Sequence, residues 1–400
     1  MSAADQGDPE TRVAGSPDTV SLVRAFVVDQ VYPVEPVLAA GGGAAAQCLA
    51  RLQQAARESG LWALPLPVEL GGGGLDLARY APVAEAEGAS DYGPTALGSD
   101  LLLDATMLHR HGSAAVRDRF LRPMAAGRAR PSFAMTEPGV AGSDPQGLRT
   151  IAVPDGDGWV VRGRKWFTSG AAQAMFTTVV CRTESDGGPD REAFSLLVVP
   201  TDAPGYRVLR ELPVLGAHMG QCELALDGVR VPGEYLIGPR GGGLAVAGQR
   251  LALGRVLRCL RWIGQTARAY ELLRERLRHR QVSGRPLADK QLMAQHAFDS
   301  YVDLTAARAM TRAAVDCLVA GADPAIAVGT AKVVTARAYA TVVDRAIQVY
   351  GAEGLTNDTP LARLHRIARS ARILDGPDEV HVQAVARRLL APRERPPRTG

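Results

Sequence analysis

Between Ile326 and Tyr350 the chain repeats a spacing that leaves few folds open. Ile326, Gly329, Val333, Ala336, Ala340, Val343, Ile347 and Tyr350 are separated alternately by three and four residues. That period puts them on one stripe of an α-helix, the seam by which a helix packs in a bundle. Asp323 and Pro324 precede the stripe as an N-cap and a first-turn proline, and Gly351 follows as a stop. Residues 241–390 are therefore read as a C-terminal helical domain of long elements.

The rest of the chain has two other textures. From 18 to 130 it reads as helical: Val20, Val23, Phe26 and Val27 recur at helical spacing. Pro33 and Pro36 should break that pattern, and Gly41-Gly42-Gly43 should be a loop before a helix through Leu49, Leu52 and Ala56. Gly71 to Gly74 read as a further loop, and Leu101 to His111 as helix. From 131 to 240 the period becomes two. Trp159 and Val161 alternate with Val160 and Arg162 after an Asp155-Gly156-Asp157-Gly158 turn, a hairpin signal. Phe194 to Val199 is a short apolar strand closed by Pro200. Leu224 to Val231 reads as strand, turn at Asp227-Gly228, and strand. This middle region is read as a small β-barrel or sandwich. The expectation is an α+β multidomain chain with an N-terminal α-domain, a central β-barrel and a C-terminal helical bundle. Residues 1–17 and 391–400 are expected to be flexible tails.

Composition narrows the class. The 400 residues are 46% hydrophobic and 22% charged, ordinary for a globular chain, and the net charge of +4 is too small and too spread for a nucleic-acid footprint. Cys48, Cys181, Cys222, Cys259 and Cys317 are far apart and suggest neither a disulfide framework nor a zinc site. No histidines stand at metal-ligand spacing, and His109 with His111 reads as a helix end. Met1 to Thr19 is polar, so no signal peptide is expected, and no apolar run is read as long enough to span a bilayer. Reduced thiols fit a cytoplasmic location.

Several segments carry possible chemistry. Gly41-x-Gly43-x-x-Ala46 superficially fits a dinucleotide fingerprint, but it follows no strand and reads as a loop. Phe133-Ala134-Met135-Thr136-Glu137-Pro138-Gly139-Val140-Ala141-Gly142-Ser143-Asp144 is a turn-rich connection whose backbone N–H groups suit flavin carbonyls or a pyrophosphate. About 25 residues further on lies Gly163-Arg164-Lys165-Trp166-Phe167-Thr168-Ser169-Gly170, by itself a strand with a buried tryptophan. Arg280-Gln281-Val282-Ser283-Gly284-Arg285-Pro286-Leu287 and Gln348-Val349-Tyr350-Gly351-Ala352-Glu353-Gly354 follow, the second also a helix C-cap. The last is Arg366-Ile367-Ala368-Arg369-Ser370-Ala371-Arg372-Ile373-Leu374-Asp375-Gly376-Pro377-Asp378-Glu379-Val380, in which Asp before Gly is, taken alone, a helix-stop turn.

Together these segments resemble the acyl-CoA dehydrogenase family, over residues 20 to 390. The departures are one extra residue in the 139–142 loop, Ser283 where the family has phenylalanine, and aspartate and Pro377 where it has glutamate and threonine. The resemblance implies an α-domain, a β-barrel and a C-terminal four-helix bundle, assembled as a tetramer or dimer. It implies bound FAD, contacted by Phe133, Met135, Thr136, Ser143, Trp166, Phe167, Thr168, Arg280, Gln291, Gln348, Gly351, Ala352 and Glu379, with Arg280 and Gln348 reaching a neighbour's FAD. Ser143, Arg255 and Gly376 would touch substrate. Counting from Arg366 puts Asp375 at the family's catalytic base. The alternative base position, one residue before Arg255, holds Gly254. The implied reaction is α,β-dehydrogenation of an acyl-CoA or acyl-carrier-protein thioester: Asp375 takes the α-proton, flavin N5 takes the β-hydride, and an electron-transfer flavoprotein accepts the electrons. A flavin oxidase or oxygenase on the same fold, acyl-CoA-oxidase-like or nitroalkane-oxidase-like, is the rival enzyme reading. A non-catalytic flavoprotein assembly partner is the rival of another class.

Overall fold

The computed structural model describes residues 17–184 and 192–391. Apart from Pro17 and Ala391, the tails expected at 1–17 and 391–400 lie outside the described residues. Helix α1 (Pro17–Phe26) runs through a π-turn at Val27–Val31 and a 3-10 turn at Tyr32–Val34 into α2 (Glu35–Ala40). Pro33 and Pro36 do not break the helical path. Each falls in the first turn of a new segment, where a missing N–H goes unnoticed, so only the winding changes. The chain turns at Gly41, φ +71°, and α3 (Gly42–Glu58) starts at the next glycine, so most of the expected glycine loop is helix. The apparent dinucleotide fingerprint is thus a helix–helix junction. Helices α4 (Leu77–Gly88), α5 (Gly93–Ala96), α6 (Leu102–His111), α7 (Ala114–Val116) and α8 (Arg122–Ala125) complete the N-terminal part.

Among the described residues, the middle of the chain forms one eight-stranded sheet. Its strands are β1 (Pro131–Ala134), β2 (Ile151–Asp155), β3 (Gly158–Ser169), β4 (Phe176–Arg182), β5 (Phe194–Pro200), β6 (Tyr206–Glu211), β7 (Gln221–Pro232) and β8 (Leu236–Ile237). The order is β6-β7-β3-β2-β4-β5-β8, with β1 pairing β4 in parallel. The β2–β3 hairpin forms at Asp155-Gly156-Asp157-Gly158, with Gly156 at φ +63°. The expected strand, turn and strand from Leu224 to Val231 is a single strand, β7. Arg162 pairs Asp227 while Val161 pairs Val229, so Gly228, at φ +73°, is the extra residue of a β-bulge rather than part of a turn. β5 is buried along its whole length, as a continuous apolar run requires.

The C-terminal part holds α9 (Gly243–His279), a small hairpin of β9 (Gln281–Val282) and β10 (Arg285–Pro286), α10 (Gln291–Val319), α11 (Ala325–Tyr350), α12 (Leu361–Ala371) and α13 (Asp378–Leu390). Asp323 caps α11 as the sequence indicates, its Oδ1 accepting from the Ala325 N–H at 3.0 Å. Gly329, Val333, Ala336 and Val343 of the stripe are buried, but so are Val328, Ala331, Thr335, Ala338 and Val342. α11 is therefore covered on most sides, the central helix of the bundle. The segment Ala325–Leu355 is long and apolar enough to cross a membrane, contrary to the sequence expectation. It is mostly buried inside this fold, as a core helix is.

α4 crosses α9 at a pair of glycines. A Cβ on Gly88 would stand 2.4 Å from Arg261 Cα, and one on Gly264 would stand 2.2 Å from the Glu85 carbonyl oxygen. Backbone meets backbone, so nothing flexible can give way. Gly264→Ala should cost about 1–3 kcal/mol in denaturant unfolding. Gly248→Ala on the same helix, where a Cβ meets nothing within 4 Å, should stabilise by up to about 1 kcal/mol. Equal effects at the two sites would contradict this crossing.

Glu87, next to that crossing, is wholly buried and takes hydrogen bonds from Tyr80 and Ser99. Burial pushes its carboxyl up to about 7 from the ordinary 4.5, with Arg261 and the hydroxyls opposing. The folded state thus holds a proton that the unfolded chain releases. Its contribution to stability is full below about pH 4.5 and is lost as pH rises through about 7. Glu87→Gln should flatten the pH dependence of unfolding free energy across that window, and an unchanged slope would contradict the assignment.

Candidate active site

Two segments singled out in the sequence meet at a buried ion pair. Lys165, on β3, has no exposed side-chain surface; its Nζ lies 2.8 Å from Glu137 Oε1 and donates to the Met135 carbonyl at 2.8 Å. Glu137 also accepts from the backbone N–H groups of Arg149 and Thr150, at 2.7 and 2.9 Å. Burial alone would push this carboxyl up, but Lys165 and the donors outweigh it and hold it below its usual range. The loop leaving β1 is thereby tied to β3 at one end and to the start of β2 at the other. The Trp166 N–H donates to the Thr136 carbonyl at 3.0 Å, and the Thr136 hydroxyl donates to the Trp166 carbonyl at 2.8 Å. A Cβ on Gly142 would stand 3.1 Å from Thr136 Cγ2, so the loop carrying the exposed Ser143 folds back onto Thr136.

A second bulge decides which side chains face outward. Lys165 pairs Leu224 and Thr168 pairs Cys222, so β3 holds one residue too many at Trp166-Phe167, and Phe167 takes φ +50°. Lys165 and Thr168, which simple alternation would place on opposite faces, both point inward with 0% exposure. Phe167 is 50% exposed, an aromatic on the open side, with the Trp166 ring 5.1 Å away at 70°. Thr168 is wholly buried, and its hydroxyl finds no hydrogen-bond partner among the described residues. The exposed hydroxyl beside it is that of Ser169, 3.1 Å from Gln221 Oε1. Phe133 and Met135 are half-buried, and the Arg250 guanidinium of α9 lies 4.2 Å from the Phe133 ring centroid.

Asp375 stands in the turn between α12 and α13, against the same half of α9. It takes φ +55°, unusual for a residue with a side chain, and Gly376 follows at φ +99°. The Asp375 carbonyl accepts from Arg255 Nε at 3.0 Å and lies 3.1 Å from His381 Nε2. Burial and the nearby Arg255 push His381 down, so the ring is neutral at pH 7 and its Nε2 carries the hydrogen toward the carbonyl. A Cβ on Gly376 would stand 2.8 Å from that Nε2, so this position excludes a side chain. The Asp375 carboxylate, 26% exposed, has Arg258 Nε at 3.4 Å. Arg255, expected to touch substrate, holds the backbone of Asp375 through its Nε. Gly254 is buried, and a Cβ there would meet Leu103 at 3.3 Å.

The remaining candidates lie elsewhere. Arg280, Gln291, Gln348, Gly351 and Ala352 are all exposed. Arg276 Nη2, near the end of α9, donates to the Tyr350 carbonyl at 3.3 Å and lies 2.9 Å from Glu353, so α9 and α11 end side by side. At about 1.5 Å of rise per residue, Arg255 and the end of α9 are roughly 36 Å apart. One chain does not bring the Arg280 group to Asp375. Glu379 is exposed in the first turn of α13. Ser169, Arg258 and His381 also stand beside the candidate site and were not among the residues expected there. His381 was readable as the last letter of Asp375-Gly376-Pro377-Asp378-Glu379-Val380-His381, whereas Ser169 depended on a bulge with no signal in the sequence.

Comparison with known proteins bears on the family and the fold. Residues 18–128, 132–229 and 241–390 match the sequence models of the N-terminal, middle and C-terminal domains of acyl-CoA dehydrogenase. The chain is 39% identical over 349 residues to the probable acyl-CoA dehydrogenase FadE2 of Mycobacterium tuberculosis, covering 85% of each. It is 31% identical over 397 residues to acyl-CoA dehydrogenase family member 11 of Rattus norvegicus, of whose length it spans only 51%. A solved putative acyl-CoA dehydrogenase from Mycobacterium abscessus superposes with a TM-score of 0.87 at 34% identity, over 94% of this chain and 97% of that one. With all three domain models matched in order across the fold just described, the chain belongs to the acyl-CoA dehydrogenase family of FAD-dependent flavoprotein oxidoreductases.

Proposed function

We propose that the chain removes the α and β hydrogens of an acyl thioester, carried on coenzyme A or on an acyl carrier protein, with Asp375 as the base. The observation that carries this reading is the Asp375 turn: a partly exposed carboxylate whose backbone is fixed by Arg255 and His381 in a left-handed conformation. A base must be reachable and must not wander, since a small displacement at a reacting centre costs rate steeply. Asp375 takes the α-proton, and Arg258 Nε, 3.4 Å away, orients its carboxylate. The residues around β3 fit a flavin ring: Phe167, Trp166, Met135 and Phe133 offer an apolar platform, with the Ser169 hydroxyl and the Ser143 loop as polar neighbours. Bound there, FAD would supply the acceptor for the β-hydride. Arg280, Gln291, Gln348, Gly351 and Ala352, which lie beyond the far end of α9 and away from the Asp375 turn, would hold the FAD of a second copy in a dimer or tetramer. An electron-transfer flavoprotein is the proposed electron acceptor.

Two measurements test this. Thr168→Val removes a buried hydroxyl that has no partner among the described residues and should weaken FAD retention or shift the flavin spectrum; Ser169→Ala, at the exposed neighbour, should do so less. Parental flavin content and spectrum in both would sink the placement of the flavin at β3. Asp375→Asn should retain FAD and lose at least ~10²-fold in anaerobic flavin reduction by a panel of acyl thioesters. Wild-type rates would mean a different base. Oxygen uptake by the wild-type protein, in place of dye reduction, would favour an oxidase.

A further inference from the structure

Beneath the Asp375 turn lies a buried ionic group that the proposed reaction does not use. Asp378, 1% exposed, starts α13. Its Oδ2 accepts from Arg372 Nε at 2.9 Å and from Arg337 Nε at 3.3 Å. Its Oδ1 has Lys332 Nζ of α11 at 3.5 Å. Lys332 is 0% exposed and has no hydrogen-bond partner, and Asp378 Oδ1 has none either. The Asp378 N–H also donates to the Arg372 carbonyl at 3.1 Å, closing the loop that contains Asp375. After Asp378, the charges acting on Lys332 include Asp375 itself.

Such a group is poorly explained by stability alone. A buried lysine paired at 3.5 Å with no hydrogen bond recovers little of what its desolvation costs, and an apolar side chain would fill the space at no electrostatic cost. What it achieves is geometric. Arg372 and Asp378 are the two ends of the turn, and Lys332 ties that closure to the central helix of the bundle. Arg255 and His381 hold the middle of the same turn from α9 and α13. Asp375, at a positive φ that aspartate tolerates at modest cost, is thus held from three helices.

We infer that the Lys332–Asp378 pair, with Arg372, is a positioning device for the base: it holds the turn closed so that the Asp375 carboxylate meets the α-carbon. This rests on the reading of Asp375 as base, and the two can fail separately.

The test uses the FAD-loaded protein and the exchange of a thioester's α-protons with D2O, which reads proton abstraction without completed dehydrogenation. Asp378→Asn and Lys332→Met should each slow exchange and lower kcat by roughly ten- to a hundredfold, the scale of a misplaced reacting group. KM should stay within about threefold and FAD content should match the parent. The double variant leaves no unpaired charge from this pair and should be no worse than either single change, because the two act as one unit. Arg372→Gln, at a side chain 41% exposed, removes one donor without opening the core and carries the same test should the buried variants fail to fold. Parental exchange and kcat in the folded variants, with only a lowered Tm, would overturn the inference and leave a structural role. Parental exchange in Asp375→Asn would instead overturn the base assignment.

Discussion

The buried pair of Lys165 with Glu137 is the constraint on which the candidate flavin face depends. It is a single point charge at the centre of four contacts: the Met135 carbonyl, Glu137, and through Glu137 the backbone of Arg149 and Thr150. Without the lysine, Glu137 would be a carboxylate with backbone donors but no countercharge in the interior, and the loop from β1 would lose its tie to β3. With it, the loop carrying Ser143 lies back on Thr136, and the bulge beside Lys165 turns Phe167 outward. The most characteristic residues of the Thr136-Glu137-Pro138 segment therefore build the site from behind.

The chain has only three lysines, Lys165, Lys290 and Lys332, among 46 basic residues. Two of them are wholly buried, each beside a carboxylate and each behind one half of the candidate site. Arginine would not fit either place easily. Its planar fork asks for several acceptors at its rim, whereas an ammonium is a compact charge that can sit at the end of an apolar stem. In a sequence that otherwise uses arginine for nearly all its positive charge, the two buried lysines stand where a small buried cation is needed.

α9 joins the two halves and also separates them. Its first half carries Arg250 against Phe133, and Arg255 and Arg258 against Asp375. Its last turn lies beside the end of α11, where Gln348 and Gly351 sit. A rigid helix of 37 residues cannot fold one end onto the other, so residues that read as one cofactor set in the sequence form two groups in space. The close Gly88–Gly264 crossing fixes α4 against this same helix, so the N-terminal helices are set by the element that anchors the base.

The sequence by itself determined the periodicities and hence the three regions: the α11 seam, the β2–β3 hairpin turn and the cap at Asp323 are local signals, legible because backbone geometry sets them. It also determined the motif residues, and with Arg366 as register the position of Asp375. It did not determine facing. Thr168 and Ser169 are neighbours with similar side chains, and only the pairing of β3 with β7 creates the bulge that buries one and exposes the other. Asp227-Gly228 reads as a turn from composition and becomes a bulge because β3 continues alongside it. Pro33 and Pro36 look like breaks, yet the path continues through π and 3-10 turns. Arg255 gives no sign in the sequence of holding the Asp375 carbonyl, which it does because the α12–α13 turn docks on α9. Parity on a strand, continuity across a proline and the partner of a buried charge all depend on residues far away in the chain, and only the tertiary structure brings those into contact.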